Sequence, residues 1–115
     1  MNLTVNEASL YVHKLDKLAG KLKHTEVVLA PTMLALQPLN MQVHLAAQNF
    51  YWRDRGAYTG EVSAAQLRGV VQYGLVGHSE RRHIFAERSK DIRSKVQAAV
   101  RNNIVPVLCI GETAQ

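Results

Sequence analysis

Apolar residues in this chain fall into two patterns that alternate along its length. Thr4-Val5-Asn6-Glu7 has the spacing of a capping box, in which the threonine and the glutamate satisfy each other's backbone N–H groups. Val5, Ala8, Val12, Leu15 and Ala19 then recur three and four residues apart, which predicts one buried face of a helix, with Gly20 as its stop. Residues 26–30 are a nearly continuous apolar run closed by Pro31, and residues 43–47 are a second one. Such runs suit strands covered on both faces. A polar, glycine-containing loop follows over 48–61, and Ser63-Ala64-Ala65-Gln66 is another capping box that opens a short helix. Residues 74–77 read as a third strand. Ile92, Val96, Ala99 and Val100 mark the inner face of a further helix, which Asn102-Asn103 can end. Residues 105–110 are the fourth strand; Pro106 lies near its start, where a missing N–H costs least, and Gly111 breaks it.

Four apolar strands separated by helices imply an α/β fold with parallel pairing and right-handed crossovers. The crossover between Pro31 and Val43 is short for this purpose, since parallel strands usually need a dozen or more residues between them, and Pro38 shortens it further. A helix stands first with no strand before it, and a strand stands last with no helix to cover it, so both ends read as cut. No linker, repeat or low-complexity tract divides residues 1–115, which are expected to form one incomplete barrel or open-sheet domain. Such a half-structure leaves two unpaired strand edges and one uncovered face.

The junction Gly77-His78-Ser79-Glu80 carries the clearest chemical signal. A strand ends on Gly-His and turns directly into a helix start, with Ser79 as the expected N-cap and Glu80 in the first turn. The unpaired N–H groups there carry partial positive charge. That field disfavours imidazolium, so His78 is expected to stay neutral and donate a hydrogen bond, as polarising a carbonyl requires.

Composition narrows the remaining choices. With 47% apolar residues the chain can form a core, and it has no apolar run long enough to span a bilayer and no signal-like start. A single cysteine, Cys109, excludes an internal disulfide framework and points to a reducing, cytoplasmic compartment. The net charge of +5 comes from arginines scattered along half the chain, which argues for a solvated surface or a small anionic substrate rather than nucleic acid. The five histidines lack ligand spacing with nearby carboxylates or thiols, so no metal site is expected.

Four motifs, the third strand and its loop counted as one, resemble the triosephosphate isomerase family and follow its order along the chain. Gly77-His78-Ser79-Glu80-Arg81-Arg82 is similar to its histidine motif, and Met1-Asn2 to the tail of its first-strand motif. Residues 47–52 and 56–63 resemble its third strand and long third loop, and residues 106–113 its fifth strand. The resemblance implies a partial (β/α)8 barrel, running from helix one to strand five of a fold of ~250 residues. It implies interconversion of dihydroxyacetone phosphate and glyceraldehyde 3-phosphate with no cofactor, in a homodimer. It also implies a neutral histidine electrophile paired with a carboxylate base.

Residue by residue, the resemblance makes His78 the electrophile that stabilises an enediolate. Glu80 would lie near the active-site lysine and help proton movement, or serve only as a helix-start carboxylate. Cys109 would pack under the site, inert through burial. Gln48 and Asn49 would anchor the third loop, whose tip at Thr59 and Gly60 would reach a partner subunit, and Arg81 and Glu61 can pair between loops or between subunits. The family's general base, its lid and its later phosphate-binding loops fall after residue 115, and its lysine falls before Met1. The chain alone is therefore expected to be inactive. Two other readings keep the scaffold: a half-barrel interaction module that needs no His78, and a split enzyme completed by a second chain that carries the base.

Overall fold

The computed structural model describes residues 1–38, 41–112 and 114. Leu39 and Asn40 of the short crossover, and Thr113 of the fifth-strand motif, lie outside the described residues. The chain opens with helix α1 (Val5–Ala19), in which Thr4 Oγ1 accepts the Glu7 N–H and the Glu7 carboxylate accepts the Thr4 N–H at 2.7 Å. Ala8, Val12 and Ala19 are buried, whereas Val5, in the first turn, is exposed. Gly20 ends the helix in a right-handed conformation. Asp16 fastens α1 to the sheet by accepting the N–H groups of Gln42 at 2.6 Å and Val43 at 3.0 Å.

Four parallel strands follow: β1 (Val28–Leu29), β2 (His44–Ala47), β3 (Tyr73–Val76) and β4 (Val105–Leu108), side by side in chain order. The apolar run at 26–30 pairs over only two residues, because β1 has β2 on one side and no described strand on the other. Between β1 and β2 the chain makes a single 3-10 turn, Met33–Ala35, in place of a crossover helix. Too few residues separate Pro31 from Val43 for more. The longer connections carry helices α2 (Ala64–Leu67), α3 (Ser79–His83) and α4 (Ser89–Arg101). Asn103 closes α4 at φ +58°, a left-handed position that asparagine tolerates. No described helix is long and apolar enough to cross a membrane.

Paired residues of a parallel sheet share a face, and alternate residues take opposite faces. Leu45, Ala47 and Val76 therefore point to one side, where they pack with Phe50, Leu67, Ile92, Ala98, Ala99 and Ile104 in the main core. Val28, His44, Tyr73, Val105 and Val107 take the other side, and that face is open: Val105 is 54% exposed and Val107 39%. At the strand-start end of the open face, the Tyr73 hydroxyl donates to the Glu26 carboxylate, and His44 Nε2 lies 3.4 Å from the same oxygen. The fold is thus an α/β half-barrel with an uncovered inner layer and an outer layer that is packed except at Leu108 on the edge strand, which is 49% exposed. Pro106 fits its edge strand. Val105 and Cys109 direct their N–H groups to β3, so the proline nitrogen falls on the unpaired side.

Gly74 is required by its neighbour. A Cβ there would stand 2.6 Å from one Phe50 ring carbon and 3.4 Å from Ile104, so the phenyl ring occupies the volume that a side chain on β3 would otherwise fill. Gly74→Val should destabilise the chain by ~1–3 kcal/mol through overpacking, and Phe50→Ala by ~3–5 kcal/mol through a cavity. The double variant should lose clearly less than the sum of the two. Urea unfolding of all four chains measures this; additive losses would show that the two residues do not share one space.

Candidate active site at the carboxyl ends of the strands

The β3–α3 junction is built around Gly77, which adopts φ +72°. Its missing Cβ leaves room for a guanidinium, since a Cβ there would lie 2.8 Å from Arg82 Nη2. His78 follows in an extended conformation and is itself the N-cap of α3: its Nδ1 accepts the Glu80 N–H at 3.2 Å. This corrects the assignment of the cap to Ser79, which is the exposed first residue of the helix. An imidazole lone pair satisfies an orphan N–H as a hydroxyl would. Because Nδ1 is an acceptor here, the proton of a neutral ring resides on Nε2, which is left as a donor. Glu80 Oε2 lies 3.7 Å from the same Nδ1, too far for a hydrogen bond, and its carboxylate is largely exposed.

Arg82 sits behind this junction. Its Nε donates to Gly77 O at 2.6 Å and its Nη2 to Cys109 O at 3.0 Å, so it joins the carboxyl ends of β3 and β4. Cys109, just after β4, is half-buried. No described helix follows β4 to cover it.

The loop after β2 is held at its base and free at its tip. Gln48 Nε2 donates to Ala30 O at 2.8 Å, which ties the loop to the end of β1. Asn49 Oδ1 accepts from Lys95 Nζ at 2.7 Å. Tyr51 stacks between Trp52 and Tyr58, with ring centroids 4.2 and 4.7 Å away. Asp54 accepts from both Arg101 and Asn102 at the end of α4. Thr59, Gly60 and Glu61 are exposed, with Gly60 at φ +90°. A groove of about 350 Å³ under this loop, lined by Tyr51, Arg55, Tyr58 and Glu61, does not include His78.

Within the chain Arg81 does not pair with Glu61. Its Nε donates to Glu87 Oε2 at 2.7 Å, and its guanidinium lies 4.9 Å from the Phe85 ring centroid. The same Glu87 oxygen accepts from Lys95 Nζ at 2.7 Å, and the Lys95 and Glu87 side chains are only 5% and 4% exposed. Sequence reasoning missed this knot and also missed Arg82. One signal was present: Lys95 occupies a position on the Ile92–Ala99 stripe where an apolar residue belongs, and a cation there demands a buried partner. Glu87 Oε1 has no hydrogen-bond partner among the described residues.

Burial pushes the Glu87 carboxyl up, but hydrogen bonds and charge from Lys95 and Arg81 outweigh it and hold the group below its ordinary value. A depressed carboxyl adds stability that is present above its unfolded-state pKa and lost as pH falls through the folded one. The knot should therefore support the fold at neutral pH and fail on acidification below the ordinary glutamate range. Lys95→Met should cost ~3–5 kcal/mol at pH 7, because it leaves the buried carboxylate with Arg81 as its remaining cation, and that cost should shrink as the pH falls and Glu87 takes up a proton. Denaturant melts of both chains across an acid series measure this; a cost that does not change with pH would deny the linkage.

Comparison with known proteins places this geometry. The sequence model described as triosephosphate isomerase matches residues 1–115. A triosephosphate isomerase of Dehalococcoides mccartyi is 34% identical over 97% of this chain and 46% of its own length. That of Mesomycoplasma hyorhinis is 39% identical over 92% of the chain and 44% of its own length. That of Prochlorococcus marinus is 38% identical over all of the chain and 51% of its own length. The chain spans about half the length of the curated relatives it matches. A family match over every residue, on four parallel strands whose third ends in a helix-capping histidine, shows that the chain belongs to the triosephosphate isomerase family.

Proposed function

We propose that these residues form the part of a triosephosphate isomerase that supplies the electrophile. The observation that carries the reading is the hydrogen bond from the Glu80 N–H to His78 Nδ1, which leaves Nε2–H as the free donor of a neutral ring. In this reading Nε2–H donates to the carbonyl oxygen of dihydroxyacetone phosphate or glyceraldehyde 3-phosphate. The bond strengthens as a C–H proton leaves and negative charge gathers on that oxygen. Nothing is needed from a metal or cofactor in this step. Glu80 stands at Nδ1, the ring nitrogen away from the donor, so it is poorly placed to take that proton. Glu80, Ser79 and Cys109 frame the histidine rather than react.

The base comes from the half of the family's barrel that these residues do not include, so the 115-residue chain alone does not isomerise triose phosphates. The loop over 48–61 is the dimer contact of the complete enzyme. Gln48 and Asn49 fix its base, while Thr59, Gly60 and Glu61 present an exposed tip, and Arg81 lies beside the knot that holds Asn49. A second reading, a half-barrel that serves as an interaction module, is favoured by the exposed Val105 and Val107 on the inner face.

A coupled isomerase assay separates these readings. The chain alone should stay at solution background. Mixed with a complementary half that begins before the family's sixth strand, it should gain activity, and His78→Asn should lower that activity by ~10²–10⁴. Turnover by the lone chain, or restored activity indifferent to His78→Asn, would overturn the proposal. A complex that assembles without turnover would favour the interaction module.

A further inference from the structure

We infer that Arg82 is the positioning residue of His78, fixing the backbone on both sides of the histidine so that the ring meets the α3 N-terminus through Nδ1. The inference rests on the proposed role of His78 and extends it. Two peptide planes flank a residue, and their rotations are its φ and ψ. Arg82 holds both planes around His78. Its side-chain Nε donates to the Gly77 carbonyl at 2.6 Å, and its main-chain N–H donates to the His78 carbonyl at 3.1 Å. With both carbonyls held, His78 is fixed at φ −54° and ψ 146°, the extended cap conformation from which Nδ1 reaches the Glu80 N–H.

The other arm of the guanidinium ties this arrangement to the sheet. Nη2 donates to Cys109 O, and the Cys109 N–H donates to Val76 O at 2.9 Å, so β3 and β4 are joined on either side of the turn. Gly77 leaves the space in which the guanidinium lies. Arginine suits the position because Nε and Nη2 donate to two different carbonyls from one rigid plane, whereas a lysine has a single nitrogen on a flexible stem. The tautomer of His78 is therefore set indirectly. Arg82 fixes the backbone, the backbone presents Nδ1 to the helix, and the helix claims its lone pair.

The test is nuclear magnetic resonance on the isotopically labelled 115-residue chain and needs no enzymatic readout, so absence of isomerase activity leaves its result standing. In the unaltered chain, the His78 imidazole nitrogens should report the Nε2–H tautomer, and a scalar coupling should cross the hydrogen bond from Arg82 Nε to the Gly77 carbonyl carbon. In Arg82→Lys, the His78 signals should collapse to a tautomer average, while the Phe50 and Ile104 core signals and the His44 ring stay in place. A His78 tautomer unchanged in Arg82→Lys would overturn the inference. If Arg82→Lys loses its core signals, the unaltered chain decides: the cross-bond coupling with a fixed Nε2–H tautomer supports the inference, and lack of either overturns it.

Discussion

The Lys95 ammonium and the Glu87 carboxylate leave water together, and three segments must converge for that to be tolerated. Asn49 arrives from the loop after β2, Glu87 from the turn between α3 and α4, and Lys95 from the inner face of α4. Arg81 adds a second cation from α3. Removing Glu87 would leave the Lys95 ammonium buried without a counter-charge, a larger effect than the pair's own net worth. The local architecture is built around this pair: α3 stops after five residues, the chain turns through Ala86 at φ +54°, and α4 docks against the sheet with Lys95 on its buried face.

The two ends of the sheet carry different chemistry. At the strand starts, Glu26, His44 and Tyr73 lace three neighbouring strands together through shared polar contacts on the open face. At the strand ends lie Gln48, Asn49, His78 and the Arg82 strap, where a barrel of this kind places its reacting groups. The packed outer layer holds the strands in register, and the open inner layer exposes the face that a complete barrel would fill with side chains.

Much of this was legible from residue order, and the exceptions share a cause. Helices with capping boxes and apolar stripes, as at Thr4 and Ser63, form because their stabilising contacts lie three and four residues apart. The four strands were readable as apolar runs, but β1 shrinks to two residues because pairing length depends on neighbours and not on the run itself. His78 takes the cap from Ser79 because its own backbone is extended, at ψ 146°, and its Nδ1 reaches the Glu80 N–H two residues on. Glu87 and Arg82 were invisible in role, since a charge reads as solvated until the segment that buries it is known, and Lys95 showed only as a cation on an apolar stripe.

The contact between Gly74 and Phe50 has a historical consequence. Neither residue is neutral to change alone: a side chain at 74 collides with the ring, and a smaller residue at 50 leaves a hole over the bare strand. Exchange of this pair for a small residue at 50 and a branched one at 74 must cross a less stable intermediate, and the two orders of substitution are unequal. Overpacking forces backbone and rotamers to move, whereas an empty space can partly relax. The ring and the bare strand are therefore one packing unit, although they lie on separate segments of the chain.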